Sequence, residues 1–490
     1  MVEAVRNHPF AGAQRVLGVL LMVFSVTLLI PLPISLIYGD SGGSAFLLAF
    51  AITFMAGMAV WVPVRHQQRE LRLRDGALVV VMFWFVLSLF GAIPLFLTDQ
   101  PWMSFTEAVF ESVSGLTTTG ATVITGLNSL PHSVLWYREQ LHWLGGMGVI
   151  VLAVAVLPML GVGGMQLYRA ETPGPIKDAK LTPRITETAK ALWFVYLGIT
   201  VLCAGAYWLG GMNVFDAITQ AFGTLATGGF ANYDASMAHY HSDLLLIISM
   251  FFMYVSGTSF ALHFTAWRAR SFFSYLGDLE FRVYTYIMLA ACAVTSVTLY
   301  LHHTYASFWN ALVQGSFQVV SVMTDTGFTS TNFSIWPTFV PILLMLIACI
   351  GGCAGSTSGG IKIVRFALLV KQGLRELLRV VHPNAEMPIK VGDKAVPARV
   401  VQGVWGFFFM YVAGYAVMAL LLMALGLSGL TAFSTLAACI NNMGPALGQA
   451  AANFSSVNPY AKWVLIFAML WGRLEIFTLL VVFTPAFWRQ

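Results

Sequence analysis

Four times along its 490 residues the chain passes from a short semi-apolar stretch into a Thr- or Asn-rich run closed by glycine. The first copy reads Phe105-Thr-Glu-Ala108, then Ser114-Gly-Leu-Thr-Thr-Thr-Gly120-Ala-Thr, and the second reads Phe215-Asp-Ala217, then Phe222-Gly-Thr-Leu-Ala-Thr-Gly228-Gly-Phe. The third reads Phe308-Trp-Asn-Ala311, then Ser321-Val-Met-Thr-Asp-Thr-Gly327-Phe-Thr; the fourth reads Phe433-Ser-Thr-Leu-Ala437, then Cys439-Ile-Asn-Asn-Met-Gly444-Pro. Gly120, Gly228, Gly327 and Gly444 are 108, 99 and 117 residues apart. A small-residue cluster follows each glycine 24 to 29 residues later: Gly145-Gly146, Ser256-Gly257, Gly351-Gly352 and Gly472. One Thr-Gly alone reads as a plain turn. Four at matched positions define a repeat, and a repeat fixes architecture before any single motif does.

Long apolar segments flank each copy. Only 10% of the residues are charged and 58% are hydrophobic, with mean hydropathy +0.77. A water-soluble fold of this size carries about 25% charged residues, so the composition places the chain in a bilayer. Ten segments reach the roughly 20 apolar residues that a crossing helix needs: Gln14–Tyr38, Gly43–Val62, Ala77–Thr98, Ser133–Leu160, Ala191–Leu209, Asp243–Trp267, Val283–Leu301, Phe339–Leu369, Val401–Leu425 and Tyr460–Phe487. The expected fold is an all-α polytopic membrane protein: two N-terminal spans, then four span–short helix–span repeats around a pseudo-fourfold axis. The divisions are 1–76, 77–190, 191–282, 283–400 and 401–490. The polar N-terminus lacks a targeting pattern, and the first apolar run reads as a retained anchor.

Basic residues orient the spans. They collect after every second span: Arg65, Arg69, Arg72 and Arg74; Arg169, Lys177, Lys180, Arg184 and Lys190; Arg268, Arg270 and Arg282; and Lys371 through Arg399. The opposite linkers are nearly free of them, Arg138 and Lys462 standing at the starts of spans. Both termini are therefore expected in the cytoplasm.

The glycine runs end half-length helices at membrane depth, where irregular backbone is tolerated only inside protein or beside water. Four such bends around one axis would supply rings of carbonyl oxygens in place of an ion's water shell. Helix C-termini aimed at the cavity favour a cation. Asp99, Glu107, Glu111, Asp216, Asp234, Asp243 and Asp325 fall in the outer segments, and an acidic mouth would concentrate cations.

At these residues the sequence resembles the Trk/Ktr/HKT superfamily of potassium transporters, and within it the TrkH-type pore subunits. The carrying motifs are TTTGAT (Thr117–Thr122), ATGGF (Ala226–Phe230), DTGF (Asp325–Phe328) and NNMGPALG (Asn441–Gly448), with the two leading spans. The resemblance implies that backbone oxygens hold potassium at Thr118, Thr119 and Gly120; Ala226, Thr227 and Gly228; Asp325, Thr326 and Gly327; and Asn442, Met443 and Gly444. Members with Ser at the first filter glycine admit sodium, so Gly120 implies potassium. Asp325 and Asn442-Met443 break the Thr pattern and imply an imperfect fourfold filter. The resemblance also implies a homodimer in a bacterial cytoplasmic membrane, paired with a cytosolic TrkA-type ring that binds NAD or ATP. Potassium is cargo; no organic cofactor and no nucleic-acid partner is expected.

The segment Gly351-Gly352-Cys-Ala-Gly355-Ser356-Thr357-Ser358-Gly359-Gly360 interrupts the eighth span. At about 1 kcal/mol per glycine it cannot remain helical. It should unwind below the filter and form a gate, and the superfamily carries an intramembrane gating loop there. Ile361 stands where a phosphate-binding loop needs Lys, so nucleotide binding is not the reading. A charge inside a span, as Arg473 is, marks function unless locally satisfied. Two readings stand: a pore-facing barrier that bonds loop carbonyls, or pairing with Glu475 or snorkelling at the inner face. Lys362 and Arg365 read as interface anchors. His142 and His263 read as interfacial or packed residues rather than parts of an intramembrane enzyme. The five cysteines read as buried apolar groups. A secondary transporter coupling potassium to sodium or protons is the alternative function; it would require carboxylates within spans, of which Glu475 is the candidate.

Overall fold

The structure is a computed structural model and describes residues 10–66, 73–151, 185–391, 394–474 and 476–488. Arg69, Arg72, Arg169, Lys177, Lys180, Arg184 and Glu475, and the inner end of the fourth span, lie outside these residues. Helices α1 (Ala11–Thr27), α2 (Pro31–Tyr38) and α3 (Gly43–Trp61) form the leading pair. The first repeat is α4 (Leu73–Leu97), α5 (Phe105–Leu116) and α6 (His132–Val151). The second is α7 (Ile185–Leu209), α8 (Val214–Ala226), α9 (Asp243–Ser256) and α10 (Phe260–Ala269). After the short α11 (Phe273–Gly277) comes the third: α12 (Leu279–Leu301), α13 (Phe308–Met323), α14 (Phe339–Ile350) and α15 (Ile363–Val381). The fourth is α16 (Ala398–Ala424), α17 (Gly429–Ile440), α18 (Pro459–Arg473), α19 (Phe477–Phe483) and α20 (Pro485–Trp488). A two-residue antiparallel pair, Lys390–Val391 with Lys394–Ala395, lies in the linker before α16.

Among the described residues six helices are long and apolar enough to cross a membrane, and a seventh crossing is the bent pair α9–α10. The other three expected spans are α6, described to Val151, and two broken helices. The span expected at Asp243–Trp267 bends by 93° between Ser256 and Phe260, at a Gly-Thr-Ser sequence that gives backbone to the loop of repeat three. The last span breaks after Arg473, where Ile476 takes φ 54°. Apolar length alone could not reveal either break, because the small polar residues at 256–259 and the lone charges around Arg473 interrupt runs that are otherwise long enough to cross.

The short helices α5, α8, α13 and α17 owe their limits to their ends. Each starts on a capping side chain, Ser104, Asn213, Ser307 and Ser428, which accepts a backbone N–H from Glu107, Asp216, Trp309 and Thr431; such caps are worth about 1 kcal/mol each. In α5, Glu107 reaches back to the Ser104 N–H to complete a capping box. The inner parts of these helices are buried on every side, as from Ala108 to Leu116. The long α16 instead leaves most of its apolar surface outside, with Phe409, Val417 and Leu420 more than half exposed. That division is the one a bilayer requires: apolar outside on the spans, backbone-rich and enclosed at the centre.

Candidate ion path

All four short helices end in the same way. The backbone N–H groups of Thr119, Gly228, Thr326 and Met443 donate to the carbonyls of Ser114, Gly223, Ser321 and Ala438, five residues back, at 2.8 to 2.9 Å. The preceding N–H groups of Thr118, Thr227, Asp325 and Asn442 bond three residues back at 3.0 to 3.2 Å. Those four residues take φ 52° to 56°. This is the Schellman closure with a left-handed residue at its corner, made here by non-glycine residues. One step beyond the bonded N–H, Gly120, Gly229, Gly327 and Gly444 take φ 78° to 91°.

That pattern corrects the register of the second repeat. The equivalent of Gly120 is Gly229, not Gly228. Thr227 occupies the left-handed corner, and Ala226 is the last residue of α8, equivalent to Thr117. The Thr-Gly-Gly sequence offers two glycines, and the bond from Gly228 N–H to Gly223 selects between them. In the other three repeats the expected residues hold equivalent positions.

The four glycines close a ring. A methyl added to Gly120 would fall under 3.0 Å from the carbonyl oxygen of Gly228; on Gly229, from that of Thr326; on Gly327, from that of Met443; on Gly444, from that of Thr119. Each repeat thus lays the carbonyl before its glycine into the bare face of a neighbour's glycine, in cyclic order, and the fourth returns to the first. A side chain at any of these positions would push the ring open. The small residues of the following spans serve a related purpose: Gly145 and Gly472 leave room for the terminal carbonyls of α5 and α17, at Leu116 and Ile440.

Buried side chains brace the ring. Arg138 and Glu111 are both buried and paired at 2.9 Å. Arg138 also donates to the Ala231 carbonyl at 3.1 Å and to Thr122 Oγ1 at 3.2 Å, with its guanidinium 4.2 Å over the Phe230 ring. Glu111 accepts from the Val123 N–H at 3.0 Å. The pair therefore ties the strand after the first glycine to that after the second. Lys462 donates to Glu107 at 3.0 Å and joins repeat four to repeat one near the outer face. Asn442 Nδ2 donates across repeats to Thr119 Oγ1 at 2.9 Å. The sequence placed Arg138 and Lys462 at the outer face as span-starting charges. The signal for their pairing was the two carboxylates of α5, of which Glu111 is fully buried and so requires a cation.

Three expected mouth acids are inside the protein. Glu111 and Asp325 are fully buried and Asp216 nearly so, held by Asn213, Asn232 and Tyr233; Asp99, Asp234 and Asp243 are exposed. A further correction concerns carboxylates within spans. Glu139 on α6 is fully buried, 3.9 Å from His142 Nδ1, and among the described residues neither of its carboxylate oxygens has a hydrogen-bond donor. The His142 ring stacks on Phe230 at 4.1 Å and occupies the space beside Gly228. His263 is packed, bonded to Tyr275 and to the Val255 carbonyl. Cys203, Cys353 and Cys439 are buried, and Cys292 and Cys349 are partly so.

Beneath the ring, Gly351 to Lys362 forms a non-helical loop between α14 and α15. Gly351, Gly355 and Gly360 take φ 71° to 74°. Ser356, Thr357 and Ser358 are buried. The loop touches repeats two and four and the left-handed corner of its own repeat. Cys353 N–H donates to the Gly257 carbonyl at 2.8 Å, and Thr357 Oγ1 donates to the Leu225 carbonyl at 3.0 Å. Ser358 Oγ donates to Asp325 at 2.9 Å, directly under the third corner. Gly359 lies against the Asn441 carbonyl at the end of α17. Arg473 donates to the Thr357 carbonyl at 3.0 Å and to the Gly145 carbonyl of repeat one at 3.2 Å. Lys362 Nζ bonds the Ser358 carbonyl, and the Arg365 guanidinium sits 4.3 Å over the Phe407 ring. The bare glycines Gly351, Gly352 and Gly360 are folded against Gly359, Ser358 and Ala348, so the segment is compact and has little room for side chains.

The comparisons with known proteins agree with this geometry. Residues 42–490 match the TrkH family, described as cation transport protein. The chain is 51% identical over 483 residues to the Trk system potassium uptake protein TrkH of Vibrio parahaemolyticus serotype O3:K6, spanning 98% of this chain and 100% of the relative. It is 49% identical over 481 residues to the protein of that name from Escherichia coli K12, again spanning 98% and 100%. The crystal structure of the potassium transporter TrkH from Vibrio parahaemolyticus superposes with TM-score 0.91 at 48% identity, spanning 98% of this chain and 100% of that one.

Proposed function

The chain belongs to the TrkH family of cation transport proteins, a family of transporters rather than enzymes, and from that premise we propose that it takes up potassium through the ring of four repeats and is gated by the loop beneath. The observation that carries the reading is the cyclic closure, in which each glycine receives the next repeat's carbonyl. Carbonyl dipoles gathered at one level replace the hydration shell of a weakly hydrated monovalent cation. The ion-holding backbone is assigned to Thr118, Thr119 and Gly120; Thr227, Gly228 and Gly229; Asp325, Thr326 and Gly327; and Asn442, Met443 and Gly444. Gly229 joins this set and Ala226 leaves it, on the register given above.

The loop from Gly351 to Gly360, pinned by Arg473, is assigned as the closed gate. Its burial under the ring and its bonds to carbonyls of other repeats support this. Opening requires those bonds to break together, and the glycines give the backbone the freedom to move. The basic linkers support a cytoplasmic inner face, and the resemblance implies the bacterial cytoplasmic membrane. A homodimer and a TrkA-type cytosolic nucleotide-binding ring complete the assembly that the resemblance implies.

The test is rubidium uptake into sealed vesicles containing the purified protein. Uptake driven by an outward potassium gradient and competed by potassium over sodium is expected. Gly120→Ser should lower that preference, because its side chain displaces the Gly228 carbonyl. No uptake in any gradient, or selectivity unchanged in Gly120→Ser, would overturn the assignment. The buried Glu139 beside His142 favours one second reading, potassium flux coupled to protons. Uptake that follows an imposed pH gradient with the potassium gradient clamped would establish it.

A further inference from the structure

The loop beneath the ring is a hairpin closed at its base. The N–H groups of Ile361, Lys362 and Ile363 donate to the carbonyls of Cys349, Ile350 and Gly352 at 2.9 to 3.1 Å. Its tip, residues 353–358, is held from two sides. Toward the ring, Asp325 accepts from Ser358 and Arg473 donates to the Thr357 carbonyl. On the other side Gly355 reaches the surface, and there the Ala354 N–H donates to the Glu280 carboxylate at 2.6 Å. Ala354 is 9% exposed, and a buried N–H left without an acceptor is costly.

Glu280 stands in the first turn of α12, just after the N-cap Asp278, whose side chain accepts the Phe281 N–H at 2.9 Å. The helix dipole favours a carboxylate there, and a bond to an ionised acceptor is roughly twice as strong as a neutral one. The start of α12 is itself braced. Phe281 packs on Tyr254 of α9 and Tyr275 of α11, with ring centroids 6.0 and 5.3 Å away. His263 of α10 joins the Tyr275 hydroxyl at 2.8 Å to the Val255 carbonyl at 2.9 Å. The bend between α9 and α10 also meets the tip directly, since the Phe260 N–H donates to the Gly355 carbonyl at 3.0 Å. The α10–α12 segment and the tip therefore form one packed unit, with Glu280 as its charged contact.

We propose that Glu280 is the inner latch of the loop: its carboxylate holds the tip at Ala354, and a shift of the α11–α12 segment that breaks this bond lets the tip leave the path. Glu280 is a positioning residue that acts on the ion only through the loop. The inference rests on the reading of the loop as the gate.

The test pairs rubidium uptake into vesicles with the reactivity of the natural Cys353. That thiol adjoins Ala354 and is 1% exposed, so a charged methanethiosulfonate reaches it only when the tip moves. Peptide mass spectrometry reads its labelling beside that of Cys203 and Cys439, buried in α7 and α17. Glu280→Ala should raise uptake and Cys353 labelling roughly tenfold or more, and Glu280→Gln, which keeps a neutral acceptor at the same reach, about fivefold. Labelling of Cys203 and Cys439 should not change. A rise shared equally by all three thiols would show general loosening and overturns the latch. If Arg473→Ala raises uptake and Cys353 labelling while a folded Glu280→Ala protein raises neither, the latch falls and the gate stands. If Glu280→Ala raises Cys353 labelling with uptake unchanged, the latch stands and the gate reading falls.

Discussion

Arg473→Ala should raise ion flux by opening the loop. Arg473 bonds the loop at the Thr357 carbonyl and repeat one at the Gly145 carbonyl. It therefore fastens the loop to a neighbouring repeat through a single planar group. A hydrogen bond to a charged donor contributes about 1.5–3 kcal/mol, so losing the one at Thr357 shifts the closed-to-open ratio by about 10- to 150-fold. Where the closed state dominates, uptake rises by the same factor, which rubidium uptake into vesicles resolves easily. Arg473→Lys separates two causes. It keeps the positive charge but cannot span both carbonyls with a rigid fork, so it should leak at an intermediate rate. Full closure in the Lys variant would mean that charge alone makes the barrier. A folded Arg473→Ala protein with unchanged uptake would refute the pinning argument altogether.

Other outcomes follow from the same contacts. Glu111→Leu should cost about 3–5 kcal/mol by leaving Arg138 buried and unpaired, and Glu111→Leu with Arg138→Met should recover much of it; a double-mutant cycle by thermal unfolding in detergent measures the coupling, and additive losses would contradict it. Asp325→Asn replaces the carboxyl oxygen that accepts from the Ser358 hydroxyl under the third corner and should increase uptake about 2- to 10-fold, the effect of losing a hydrogen bond worth about 0.5–1.5 kcal/mol. Asp40 lies outside the spans. Burial acts to raise its carboxyl, but bonds from the Ser133 N–H and hydroxyl, Ser35 and the Gly42 N–H outweigh this and hold it below the usual value. A depressed folded value means stabilisation that is present above the unfolded pKa of about 3.9 and lost as pH falls through the folded value. Unfolding temperature should therefore fall on acidification below pH about 4, and Asp40→Asn should flatten that limb; identical acid limbs in both proteins would count against it.

What could be read from the sequence was what local chemistry determines. The four Thr- or Asn-rich glycine runs, the composition of the spans and the glycine-dense interruption at Gly351 each state a backbone requirement within a few residues. The structure meets each with a ring, enclosed short helices and a loop. What escaped the reading depends on partners distant in the chain. Glu111 and Arg138 are 27 residues apart and become a pair only when α5 packs on α6. Asp325 looked like a mouth acid until the loop placed Ser358 against it. Glu139 follows Arg138 in the sequence, but the two side chains turn to different neighbours, His142 and Glu111, only once the helices are packed. The register of the second repeat required the bond from Gly228 N–H to Gly223, which composition does not encode.

The left-handed corners explain how an almost fourfold backbone can carry an unequal device. Thr118, Thr227, Asp325 and Asn442 share one conformation, and each non-glycine residue there carries strain of order 1–3 kcal/mol that the packing around it must hold. Glycine would relieve the strain but would leave no side chain at the point where filter and support meet. The side chains present are used differently. Thr227 Oγ1 bonds the carbonyl of Ala226, within its own repeat. Asn442 crosses to Thr119 and also donates to the Met469 carbonyl of α18 at 3.0 Å, so repeat four is locked to repeat one and to the helix that bears Arg473. Asp325 reaches the loop. The loop is thus tied to one corner through Asp325 and, through Arg473 and α18, to the junction of repeats one and four. Fourfold geometry sets the ring, while these unequal corners connect it to one loop, present in one repeat.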